Sequence, residues 1–150
     1  MEERIEKKIE IAAPVSRVWK ALTDSKQFGE WFLVKMDGPF VAGQPMGGQI
    51  THPGYEHVRM EIVIKDIKPE TYFSYTWHPF AVDKATDYSK ELPTLVEFFL
   101  EPSGDGTLLK VTESGFENVP AERRAEAFKR NDGGWAQQMK NIEAYVLKAA

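Results

Sequence analysis

The carboxy-terminal third of the chain carries one long helical stripe, and no other feature constrains the fold as much. Ala125, Phe128, Asp132, Trp135, Met139, Ile142, Val146 and Ala149 recur at alternating steps of three and four. That rhythm lines them along one face of a helix beginning near Pro120. Almost everything before it alternates with period two, as half-buried strands do. A lone helix after a run of strands is gripped by a curved sheet, and such a grip tends to enclose a pocket. The stripe has one interruption, where charged Asp132 is followed by Gly133 and Gly134. Two glycines inside a helix cost about 1 kcal/mol each against alanine. The spacing therefore predicts a kink, a neighbour too close to admit a side chain, or a break at which Asp132 caps a second segment; the alternative for Asp132 is to face the pocket as its only acid on that helix.

Upstream, Ile5, Lys7, Ile9 and Ile11 share one face of a strand over 5–11, with Lys7 as its irregular member. Lys7 is expected to lean to the sheet edge and reach water with its ammonium. Pro14 opens a helix, where its missing N–H costs nothing, with Val15, Val18, Trp19 and Leu22 on the buried side. Asp24 caps a second short helix carrying Phe28, Trp31 and Phe32, and Gly29 limits it to about two turns. Six further strands are predicted over 33–37, 46–52, 57–67, 71–77, 93–101 and 107–115. Short connections make neighbours antiparallel. A loop over 78–92 is long for a compact domain and fits a cover over a binding site. The expected class is α+β: about seven antiparallel strands curved around a long final helix, with two short helices after the first strand.

The length of 150 residues fits one domain over 1–150 with a sizeable core. The formal net charge of −4 counts against a nucleic-acid partner. With no cysteine, disulfides, thiolate chemistry and Cys-based zinc sites are excluded. No apolar run approaches the ~20 residues of a membrane span. The charged, alternating start MEERIEKKIEIAAP is no secretory signal, so a cytoplasmic location is expected. Exposed edge strands allow a homodimer without requiring one.

Several stretches resemble the START-related superfamily (SRPBCC, helix-grip), in the branch named for the activator of heat-shock protein 90 ATPase. They are IAAPVSRVWKALTDSKQFGEWF at the start, DIKPETYFSYTW in the middle, VEFFLEPSGDGTLLKVTESGF in the late hairpin and GGWAQQMKNIEAYV in the final helix. The resemblance implies a helix-grip fold with a cavity between sheet and helix. It leaves function open among carriers of apolar ligands, cyclases and co-chaperone domains.

Strand parity places Phe73, Tyr75 and Trp77 on one face and Val96 and Phe98 on another inward one. With Trp135 and Met139 on the helix, these residues are expected either to line an aromatic pocket or to fill the core. Glu113 shares the face of Leu109 and Val111. It is a candidate acid or base in apolar surroundings, or else it reaches solvent and pairs with an arginine. Tyr55, His57 and His78 would supply polar contacts at the mouth, with His57 a second acid–base candidate. His52, His57 and His78 show no metal-ligand spacing, so neither a metal nor a cofactor is expected. The run Glu122, Arg123, Arg124, Glu126 reads as a solvated helix face. The leading function is binding of a small hydrophobic or aromatic molecule. The alternatives are a cyclase- or dehydratase-like enzyme, and a protein interaction stimulating a heat-shock protein ATPase.

Overall fold

The computed structural model describes residues 4–79 and 91–148. Its strands are β1 (Ile5–Ile11), β2 (Val34–Met36), β3 (Pro45–Ile50), β4 (Arg59–Lys68), β5 (Tyr72–Trp77), β6 (Thr94–Ser103) and β7 (Gly106–Ser114). They form one antiparallel sheet in the order β1-β7-β6-β5-β4-β3-β2. Helices α1 (Val15–Thr23) and α2 (Ser25–Phe32) follow β1, a 3-10 turn covers Phe116–Asn118, and α3 runs Ala121–Lys148. The fold class expected from the alternation and the terminal stripe is the one observed. The anticipated loop over 78–92 falls mostly outside the described residues, as does Ala149.

Local chemistry sets the element ends. Asp24 accepts hydrogen bonds from the N–H groups of Lys26 and Gln27 at 3.0 and 3.4 Å, capping α2 as its residue type predicts. Leu33 closes α2 in the left-handed region at φ 67°, turning the chain straight into β2. That reversal brings the Val34 carbonyl against Gly29, where a Cβ would lie 2.2 Å from its oxygen. Glycine is required there by contact.

The core lies between the inner sheet face and the helices. Met60, Ile62 and Ile64 from β4, Phe73 and Tyr75 from β5, Val96, Phe98 and Leu100 from β6, and Leu109 and Val111 from β7 are all buried. Helix α3 lies against β1, α1 and α2, with Ala127, Trp135, Met139, Ile142 and Val146 buried. Ala125 departs from the predicted stripe: it is exposed, and Ala127 occupies the buried face in its place.

The interruption at Asp132-Gly133-Gly134 does not break the helix, which is continuous for 28 residues. Neither glycine is forced by a close neighbour, since a Cβ at either position would meet nothing within 4 Å. Asp132 caps nothing. Its carboxylate pairs with the Lys7 ammonium at 3.0 Å. The two anomalies of the sequence, a lysine on an apolar strand face and an aspartate on an apolar helix stripe, are one contact between β1 and α3. Lys7 therefore ends on a partner as well as near solvent.

Candidate functional site

The register fixes which strand ends meet. Trp77 pairs with Thr94 and Val96 with Glu113, so the end of β5, the start of β6 and the end of β7 lie side by side. Parity turns Trp77, Thr94 and Glu113 to the inner face, and one turn of α3 presents Asn131 and Trp135 to the same place.

At that junction Glu113 is fully buried, with 0% of its surface exposed. Its Oε2 accepts from the Trp77 indole N–H at 2.8 Å and from the Thr94 hydroxyl at 2.6 Å. Its Oε1 accepts from the Asn131 amide and the Trp135 indole N–H, both at 2.9 Å. Four donors thus meet a group with about four lone-pair sites. The carboxylate reaches neither solvent nor an arginine, in contrast to the second expectation for it. Asn131 and Thr94 were not anticipated as its partners. The signal for Thr94 lies in strand register and that for Asn131 in the docking of α3, because no local spacing links either to residue 113.

The two indoles held by this carboxylate form part of a continuous aromatic cluster. Trp77 and Trp135 lie 5.9 Å apart between ring centroids, and Trp135 meets Phe98 edge-on at 5.7 Å. Tyr75 sits 5.6 Å from Trp77, and Phe32 lies 6.0 Å on its other side. Phe28 stacks under Phe32 at 5.2 Å. Within this cluster Trp77 and Phe32 are half-buried while Phe28, Tyr75, Phe98 and Trp135 are buried. The rings therefore run from the surface down to the sheet.

The expected residues Phe73, Tyr75, Val96, Phe98, Trp135 and Met139 are all in this buried layer. Tyr75 combines complete burial with a hydroxyl that has no hydrogen-bond partner among the described residues. Burial, and then the charge of Glu113, hold its phenol well above the ordinary range. Tyr55 and His57 lie in the exposed turn between β3 and β4, where Tyr55 rests against His52 at 5.7 Å. That turn shares an end of the sheet with Glu113. No described hydrogen bond or ring contact ties Tyr55 or His57 to the aromatic cluster.

His78 follows β5 with its Nδ1 buried and without a hydrogen-bond partner among the described residues. Desolvation lowers its pKa, against an opposing influence from Glu91. Beside it, Arg123 donates to both carboxylate oxygens of Glu91 at 3.1 Å and to the Pro79 carbonyl at 2.7 Å. Arg123 thus leaves the solvated face expected of its run and fastens the first turn of α3 to both sides of the β5–β6 connection. Among the described residues no group of three or more His, Asp or Glu is placed to hold a metal ion, and no helix is long and apolar enough to cross a membrane. A surface groove lined by Glu10, Ile11, Ala12, Ser103, Asp105, Gly106 and Thr107 lies at the opposite end of the sheet.

A seven-stranded antiparallel sheet closed over by one long terminal helix, with two short helices after the first strand, defines the helix-grip class. Residues 12–147 match the family described as Activator of Hsp90 ATPase homolog 1-like protein, and the chain belongs to that family. Protein MLL2253 from Mesorhizobium loti has a similar structure, at 26% identity and a TM-score of 0.76, with 99% of each chain covered. The Aha1 dimer from Colwellia psychrerythraea is similar at 16% identity and a TM-score of 0.71, with 96% of each chain covered. DynU16, a protein of the dynemicin biosynthetic locus, matches at 17% identity and a TM-score of 0.74. There 99% of this chain covers 49% of the other, so this chain spans about half of DynU16. No curated protein matches the sequence.

Proposed function

We propose that the chain is a cytoplasmic binding domain that takes a small apolar or aromatic molecule between the sheet and α3. The observation that carries the reading is the paired fixation of Trp77 and Trp135 on Glu113. One carboxylate holds both indoles by their N–H groups and sets them in an aromatic wall that is buried at Trp135 and reaches the surface at Trp77 beside Phe32. Walls fixed before binding lose little freedom when a guest arrives. Glu113 has every lone pair engaged, so it acts as the anchor of this wall and not as an acid or base on a substrate. The reading is therefore of binding without turnover.

Native mass spectrometry of protein purified from its source cells tests this, together with thermal shift by N-phenyl-1-naphthylamine. A co-purifying mass of a few hundred daltons and a rise in Tm are expected. A protein that is always empty and indifferent to the dye ends the proposal.

The family match also favours a second reading, stimulation of a heat-shock protein ATPase through an outer surface. A steady-state ATPase assay decides it: an unchanged chaperone rate with added protein removes it.

A further inference from the structure

Resting on the reading of the interior as a binding site, we infer that the guest is an uncharged molecule whose apolar body carries a hydrogen-bond acceptor, of the aryl ketone kind, and that the Tyr75 hydroxyl recognises that acceptor.

Tyr75 is surrounded by rings. Phe73 lies 5.9 Å away, Trp77 5.6 Å, Phe28 6.3 Å and Phe98 6.3 Å. A phenylalanine would satisfy every one of these contacts. The tyrosine instead places an O–H in the aromatic layer with no described partner. An unpaired buried hydroxyl is destabilising, and each such group in a folded protein calls for an explanation. The neighbouring Glu113 does not supply one, because Trp77, Thr94, Asn131 and Trp135 already occupy it. Burial and the Glu113 charge keep the phenol protonated, so its O–H is available as a donor to an acceptor on the guest, although its oxygen can also accept.

The charge pattern narrows the class further. The buried polar and charged side chains are Ser74, Thr94, Thr107, Thr112 and Glu113. Among the described residues no lysine or arginine is buried to that degree, and the partly buried Lys7 and Arg123 are engaged by Asp132 and Glu91. An anionic head group brought into this layer would meet the Glu113 carboxylate without a buried countercharge, and its own desolvation would go largely uncompensated. Fatty-acid-like anions are therefore disfavoured, and a neutral acceptor is favoured.

Three molecules on one skeleton separate these terms: 2-ethylnaphthalene, 2-acetylnaphthalene and 2-naphthoate, each titrated by calorimetry into the native chain and into Tyr75→Phe. The ketone is expected to bind the native chain about tenfold more tightly than the hydrocarbon, and the carboxylate most weakly. In Tyr75→Phe the ketone falls to the level of the hydrocarbon, the hydrocarbon is unchanged, and the ligand-free variant melts at a higher temperature than the native chain. A hydroxyl that served the fold alone would give the opposite sign of melting shift.

Equal affinity of ketone and hydrocarbon for the native chain overturns the inference while leaving ligand binding in place, and this comparison needs no variant. Carboxylate binding as tight as the ketone overturns the charge argument. If none of the three binds, the underlying reading falls, and the inference with it.

Discussion

Two carboxylates meet α3 within one turn of each other and live in different surroundings. Glu113 is sealed in the interior and satisfied by four neutral donors. Asp132 has a side chain 46% exposed and faces the ammonium of Lys7, whose side chain is 28% exposed. On formal charge the second contact looks stronger, since it alone joins opposite ions. Physical chemistry ranks them the other way. Water screens the exposed pair, whereas removing the buried acceptor strands the Thr94 hydroxyl and the Trp135 indole N–H in the interior and unties the half-buried Trp77 and Asn131. A third pair, Arg123 with Glu91, has side chains 18% and 11% exposed and falls between them.

This ordering can be broken by substitution. Glu113→Leu is expected to lose more than about 3 kcal/mol in urea unfolding, because several buried donors lose their acceptor together. Glu113→Gln keeps the shape but turns an NH2 toward either the Trp77–Thr94 or the Asn131–Trp135 donors, so about 2 kcal/mol is expected. Indole N–H resonances from one side of the junction would then move more than those from the other. Arg123→Ala removes the fastening of Glu91 and Pro79 and is expected to cost about 1–3 kcal/mol, with the loss insensitive to salt. A smaller result than for Lys7 would invert the ranking.

Gly133→Ala and Gly134→Ala sharpen the comparison from the helix side. Each is expected to raise stability by up to about 1 kcal/mol, since an added Cβ meets nothing within 4 Å. Gly29→Ala should destabilise, because there the Cβ overlaps a carbonyl. Were Gly134→Ala to lower the melting temperature, the open space beside Asp132 would be in use.

Acidification tests the region around Arg123. The His78 pKa is lowered in the folded chain, chiefly by desolvation, so the unfolded chain binds more protons once pH falls below the ordinary histidine value of about 6.5. Stability should decline as pH drops through that window, and His78→Gln should flatten the decline. Lys7→Met is expected to have the smallest effect, within about 0.5 kcal/mol of the native chain, because its methylene stem packs as a methionine does.

The period-two and period-three-to-four patterns located the elements because backbone geometry imposes them locally. Phe73, Tyr75, Val96 and Phe98 face inward as their parity requires, and the inward direction of Glu113 was readable for the same reason. What those patterns do not encode is partnership across the chain. Lys7 and Asp132 each looked like an isolated fault in an apolar stripe, and only the docking of α3 on β1 shows that they are complementary. Arg123 sat in a charged run whose four members look alike, and its side chain is distinguished by Glu91, thirty-two residues away. Ala125 and Ala127 were exchanged on the helix face because alanine carries too little apolar weight to fix a helical phase by itself.

The Glu113 junction also has a kinetic side. Its four hydrogen bonds join β5, β6, β7 and α3 across sequence separations of 18 to 36 residues. The pairing of β1 with β7 spans far more of the chain, as between Ile5 and Glu113, so loop closure favours the carboxylate's junction before β1 completes the sheet. Weakening the junction should then slow refolding as well as hasten unfolding, which stopped-flow kinetics of Glu113→Gln would show.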